Sequence, residues 1–147
     1  MCIRDRYSRF ALALAEDEEE RLWIGTDRGL YCHERGKLRQ VYPAAGAPDV
    51  RINAVVPDVE GALYFGSWGS VALARYDGEQ VQPVLAQGDV SAIARSRTGG
   101  LWVGLGNVFM TGHGTGIARV DRHGKASVWT MADGLLDDRV RDVAEDE

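Results

Sequence analysis

Leu22-Trp23-Ile24-Gly25-Thr26 returns as Leu63-Tyr64-Phe65-Gly66-Ser67, and again as Leu101-Trp102-Val103-Gly104-Leu105. From Leu22 to Leu63 is 41 residues, and from Leu63 to Leu101 is 38. Self-similarity at a period near forty residues marks a repeat architecture. The apolar segments inside each copy are short and bounded by turn residues, which reads as strand rather than helix. Strand alternation puts Leu22 and Ile24 on one face and Trp23 and Gly25 on the other. The same split holds for Leu63/Phe65 against Tyr64/Gly66, and for Leu101/Val103 against Trp102/Gly104. Both faces are apolar, so both need cover. The glycine beside each aromatic leaves room for an adjacent sheet to come close.

Outward from this phrase, each copy divides into four segments. The first is Ala11–Ala15, Ile52–Val56 and Val90–Ala94, and the second is the aromatic phrase itself. The third is Gly29–His33, Val71–Tyr76 and Gly116–Val120; the fourth is Leu38–Tyr42, Val81–Leu85 and Ala126–Met131. Turns rich in Gly and Asp separate them, as tight hairpins require. In the first copy Glu18-Glu19-Glu20 stands where the others carry Gly, which predicts a looser turn. Four antiparallel strands in about forty residues make one propeller blade. The expected fold class is therefore all-β, a partial β-propeller of about three four-stranded antiparallel blades (11–51, 52–89 and 90–139). The first strand of a fourth is expected at 140–147, where Val140-Arg141-Asp142-Val143-Ala144-Glu145-Asp146 restarts the repeat. A blade hides its two faces only by stacking, and a ring removes the open ends. The remaining blades of a longer chain are thus the first expected partners, with apolar faces left at both ends of this stretch.

The 147 residues, 45% of them apolar, suffice for a packed core. A net charge of −5 with scattered basic residues argues against nucleic acid, which calls for clustered Lys and Arg. No apolar run approaches the roughly 18 residues of a membrane span. Cys2 and Cys32 form neither a disulfide framework nor a metal spacing, and Cys32 reads as a small buried hydrophobe. Met1-Cys2-Ile3-Arg4-Asp5-Arg6 fits neither a signal peptide nor the repeat, so residues 1–10 are set apart as non-native or disordered. No cofactor is implied. A homodimer is compatible with the open blade faces.

The run from Ala15-Glu16-Asp17 through Leu22-Trp23-Ile24-Gly25-Thr26-Asp27-Arg28-Gly29-Leu30-Tyr31 resembles the two-component regulator propeller repeat, whose blades run eD-x-x-G-x-LWIGT-x-x-GL-y. The third copy follows it through Gly100–Gly104 and Gly116–Asp121, and Asp142–Asp146 begins it again. The second copy, Tyr64-Phe65-Gly66-Ser67-Trp68, keeps only the shape classes, and the third loses the Thr at Leu105. The resemblance implies a non-catalytic sensor propeller, outside the cytoplasmic membrane in the periplasmic or extracellular space. It also implies a membrane span and an output domain, such as a histidine kinase or cyclase, elsewhere in the protein.

The candidate binding residues lie on the propeller face that carries the blade-to-blade connections. An insertion, Gly106–Gly116, lengthens the third copy, so that Asp146 follows Ser96 by 50 residues. Its Asn107, Thr111 and His113 could hold a polar ligand over Phe109 and Met110, although those two could equally anchor a decorative loop. Trp68 occupies the corresponding loop of the second copy, Asp27 and Arg28 that of the first. Arg51, Asp89 and Arg139 share the face; the bland alternatives are a Trp packed between blades and solvated charges. Trp23 and Trp102 are assigned to blade packing, and Glu16–Glu20 to a solvated acidic hairpin. Three functions stay open: a sensor for a small molecule or glycan fragment, a propeller enzyme resembling streptogramin lyase, and an interaction scaffold. The enzyme would need a His and a carboxylate converging on a metal. His33 falls in a third strand, His123 on the opposite face, and only His113 faces the expected site.

Overall fold

A computed structural model of the chain describes residues 10–69, 71–106 and 114–146. Twelve strands are described, in three groups of four consecutive strands, as the repeat requires. Blade 1 is β1 (Ala11–Glu16), β2 (Leu22–Thr26), β3 (Leu30–Glu34) and β4 (Lys37–Tyr42), paired in that order. Blade 2 is β5 (Ile52–Pro57), β6 (Leu63–Gly69), β7 (Leu73–Tyr76) and β8 (Val81–Leu85). Blade 3 is β9 (Gly88–Arg95), β10 (Leu101–Gly106), β11 (Gly114–Val120) and β12 (Ala126–Trp129). Every pairing is antiparallel. The connection at Gly88-Asp89 does more than join two blades. Trp68 pairs with Asp89 and Gly69 with Gly88, so β6 and β9 hydrogen-bond across the blade boundary.

Two apolar layers lie between the blades, and they use opposite faces of blade 2. Leu63 and Phe65 join Trp23, Leu30, Cys32 and Tyr76 in the layer against blade 1. Leu73, Val90, Leu101, Val103 and Leu105 form the layer against blade 3. Each large side chain sealed this way contributes about 1.5–3 kcal/mol relative to exposure. Cys32 is fully buried among them, and burial pushes its thiol pKa up. It packs as an inert hydrophobe.

The glycine of each aromatic phrase sets how closely blades approach. A Cβ on Gly25 would meet the Ile52 carbonyl oxygen at 2.9 Å, and one on Gly66 would meet Val90 Cβ at 2.7 Å. One on Gly104 would meet Val140 Cγ1 at 3.0 Å. Ile52, Val90 and Val140 each open the next copy of the repeat. The segment 140–146 therefore lies where the next first strand belongs, although it makes no strand pairing among the described residues. It is fastened to blade 3 by the Ser91 hydroxyl donating to the Val140 carbonyl and by Glu145 Oε2 accepting from the Arg97 amide at 2.8 Å.

The first hairpin corrects one expectation. Glu18-Glu19-Glu20 makes the same tight turn as Arg97-Thr98-Gly99 rather than a looser one, with the Glu20 amide donating to the Asp17 carbonyl as the Gly99 amide does to that of Ser96. Val59–Gly61 of the second copy is a 3-10 turn. Glu20 takes φ 60°, matching Gly61 at 74° and Gly99 at 86°. The buried Asp17 carboxylate holds the turn: Oδ1 accepts from the Glu19 and Arg21 amides at 3.0 Å, and Oδ2 accepts from Arg21 Nε at 2.8 Å and Trp23 Nε1 at 2.7 Å. The fourth strand of blade 3 also ends early. β12 stops at Trp129, and Met131–Asp133 forms a short 3-10 turn capped by Thr130.

Candidate functional site

Leu12, Asn53, Ser91 and Arg141 hold one position in four successive copies, each five residues before Asp17, Asp58, Ser96 and Asp146. In the first three copies that position lies on the first strand of a blade. Stacking the blades brings the four together, and they line one cleft of about 450 Å³ with Arg51, Trp68 and Gly106. The repeat thus builds the cleft by superposing equivalent residues of different chemistry.

Trp68 and Arg51, both singled out from the sequence, meet here. The Arg51 guanidinium carbon lies 4.4 Å from the Trp68 ring centroid, a cation–π contact. Arg51 Nε donates to Asn53 Oδ1 at 3.0 Å, and Asn53 Nδ2 donates to the Val90 carbonyl at 3.4 Å. The Arg51 carbonyl in turn accepts the Trp68 amide at 3.3 Å. Backbone and side chain together fix this pair at the open end of the β5–β6 hairpin, and Asn53 ties it to β9 of blade 3.

Arg139 is not among the lining residues. Its guanidinium grips Asp137, with Nη2 to Oδ2 at 2.7 Å and Nε to both oxygens at 3.1 and 3.2 Å. The hydrogen bonds from the Arg139 side chain and backbone bring the Asp137 carboxyl down to about 2. The neighbouring Arg141 reaches the cleft instead. Asn107, Phe109, Met110, Thr111 and His113 lie outside the described residues. The stem of their insertion is described: Gly106 pairs with Gly114 at the end of β10 and β11. Arg28 Nε lies 3.7 Å from the Asp49 carboxylate on the first blade's loop.

Sequence reasoning missed Leu12, Asn53, Ser91 and Arg141. The signal was present as a column of the repeat alignment, since the position five residues before Asp17, Asp58, Ser96 and Asp146 changes from apolar to amide to hydroxyl to cation. His33 and His123 stand apart from the cleft, in β3 and in the β11–β12 turn. Among the described residues no three His, Cys, Asp or Glu side chains are grouped to hold a metal ion.

No family model and no curated protein matches the chain. Solved structures do. The extracellular domain of BT4673 from B. thetaiotaomicron, a proposed one-component system, superposes with a TM-score of 0.74 at 14% identity, covering 97% of this chain and 20% of that one. The extracellular domain of BT3049 from B. thetaiotaomicron, a proposed hybrid two-component system, gives 0.66 at 20% identity, over 89% of this chain and 18% of that one. Virginiamycin B lyase from Staphylococcus aureus gives 0.66 at 16% identity, over 83% and 41%. The class is thereby defined: an all-β partial propeller of antiparallel blades. The chain spans about a fifth of the length of the two B. thetaiotaomicron domains. No helix among the described residues is long and apolar enough to cross a membrane.

Proposed function

We propose that the chain is part of a non-catalytic sensor propeller on the periplasmic or extracellular side of a bacterial membrane. Its cleft takes a small molecule or glycan fragment, and occupancy is passed to an output domain elsewhere in the protein. The observation that carries this reading is the Arg51–Trp68–Asn53 cluster, held rigid in a cleft that spans equivalent positions of successive blades. Pre-organised polar and aromatic groups in a concave site are what small-ligand recognition uses. The fold it shares with extracellular domains of proposed signalling systems supports the location and the role.

The test is a thermal-shift screen of the chain against metabolites and glycan fragments, read beside the uninterrupted reading frame on both sides. A ligand that raises the melting midpoint, together with an encoded membrane span and kinase or cyclase, is the expected result. A frame with no span or output domain, and no ligand that shifts the midpoint, overturns the reading. The shared fold with a lyase favours a second reading, a propeller enzyme. Turnover by the complete protein that a chelator abolishes would replace the sensor with that enzyme.

A further inference from the structure

We infer that the cleft recognises its ligand through an oxyanion group, a carboxylate, sulfate or phosphate, held between the guanidinium groups of Arg51 and Arg141. This rests on the reading of the cleft as a binding site and adds the charge of what binds there. The whole chain carries 22 acidic against 17 basic residues, yet the described residues that line this cleft include two arginines and no Asp or Glu. Among the described lining residues the charge is therefore positive, opposite in sign to that of the whole chain.

The two cations come from different copies of the repeat and are held differently. Arg51 is clamped at Nε by Asn53 and laid over Trp68, so little side-chain freedom is left to lose on binding. Arg141 is exposed and makes no ion pair or hydrogen bond among the described residues. Its neighbour Asp142 turns its carboxylate to the Val143 amide. Ser91 spends its hydroxyl hydrogen on the Val140 carbonyl, which seats the segment bearing Arg141 against β9. An arriving oxyanion would gain charge-assisted hydrogen bonds, while a cation would meet like charge. Leu12 and Trp68 supply the apolar wall for the rest of the ligand.

The experiment compares galacturonate with galactose, the same ring with and without a carboxylate, by calorimetric titration of the chain at constant ionic strength. Sodium sulfate serves as competitor. Galacturonate is expected to bind at least tenfold tighter than galactose. Arg51→Met and Arg141→Met should each weaken it about tenfold, the scale of one lost charge-assisted pair. Arg122→Met removes the same charge away from the cleft and should change nothing, with circular dichroism confirming the fold of all three. Competition by sulfate assigns recognition to any oxyanion, and its failure assigns recognition to the carboxylate. Equal binding of the two sugars, or an equal loss in Arg122→Met, overturns the inference. If only neutral ligands of the screen bind, the anion falls and the cleft stands. If nothing binds, both fall.

Discussion

Trp23 and Trp102 hold the same place in the repeat, one residue into the second strand, and they live in different surroundings. Trp23 is fully buried and meets Tyr76 of blade 2 edge-on, with ring centroids 5.7 Å apart. Trp102 is half-buried and leans on Trp129 of its own blade at 5.8 Å. Each has an arginine against its ring at 5.3 Å, Arg21 in one blade and Arg119 in the other. The difference lies in what covers the blade, not in the blade. Blade 2 covers Trp23, whereas the strand-less segment 140–146 passes over Trp102. On the opposite end, Leu14 and Leu38 on the far face of blade 1 are 63% and 45% exposed. Repeat sheets of this kind draw burial from their neighbours.

Truncating the two rings is the most forceful test of that difference. Trp23→Ala is expected to cost about 3–5 kcal/mol, because a sealed cavity remains where the ring was. Trp102→Ala is expected to cost about 1–2 kcal/mol, since only part of its surface leaves water on folding. Urea denaturation of both variants checks the ratio. Equal losses would mean that burial is set within each blade and that the stacking argument is wrong.

The blade count, the strand order and the two-faced burial were legible because hydrophobic alternation and a forty-residue period are local and repetitive. Val81–Leu85 matches its expected bounds, and Leu22–Thr26 does as well. The β6–β9 pairing was not legible, because Gly88-Asp89 carries turn residues and gains its strand geometry only from Trp68 and Gly69 across the boundary. The site was half legible. Arg51 and Trp68 stood out as unusual side chains on the connection face. Asn53, Ser91 and Arg141 are ordinary residues until stacking superposes them. Arg139 looked equivalent to Arg51 by position, but Asp137 two residues earlier captures it.

A smaller effect separates how the two indoles are anchored. Trp23 Nε1 donates to Asp17 of its own blade at 2.7 Å, while Trp102 shares a cleft with Glu145 of the following segment. Burial pushes the Asp17 carboxyl up, and the hydrogen bonds from Trp23 and Arg21 with the Arg21 charge more than offset it, leaving it below 3.8. A carboxyl lowered on folding stabilises above its unfolded value and loses that contribution as pH falls through the folded one. Asp17→Asn should therefore cost about 1.5–3 kcal/mol at pH 7, the scale of hydrogen bonds to a buried charge. The gap to the native chain should close as pH drops below about 4. Glu145 is exposed, and the Arg97 amide is the main group holding its carboxyl down. Glu145→Gln should show the same trend with a smaller gap in pH-dependent denaturation. A gap at Asp17 that stays constant down to pH 2 would assign its role to shape rather than charge.

The least effect belongs to the turn between those anchors. Glu20 holds a left-handed backbone that its counterparts give to Gly61 and Gly99. The Cβ in that conformation costs about 1–2 kcal/mol, and glycine's extra freedom in the unfolded chain takes back about 0.5–1. Glu20→Gly is thus expected to stabilise by about 0.5–1 kcal/mol, and Gly61→Ala, with its added Cβ 2.9 Å from Arg21 Nη2, to destabilise. Opposite signs in paired thermal melts would show that one left-handed position is held by different means in the first two hairpins. A destabilised Glu20→Gly would instead reveal that the Glu20 side chain contributes more than its backbone strain costs.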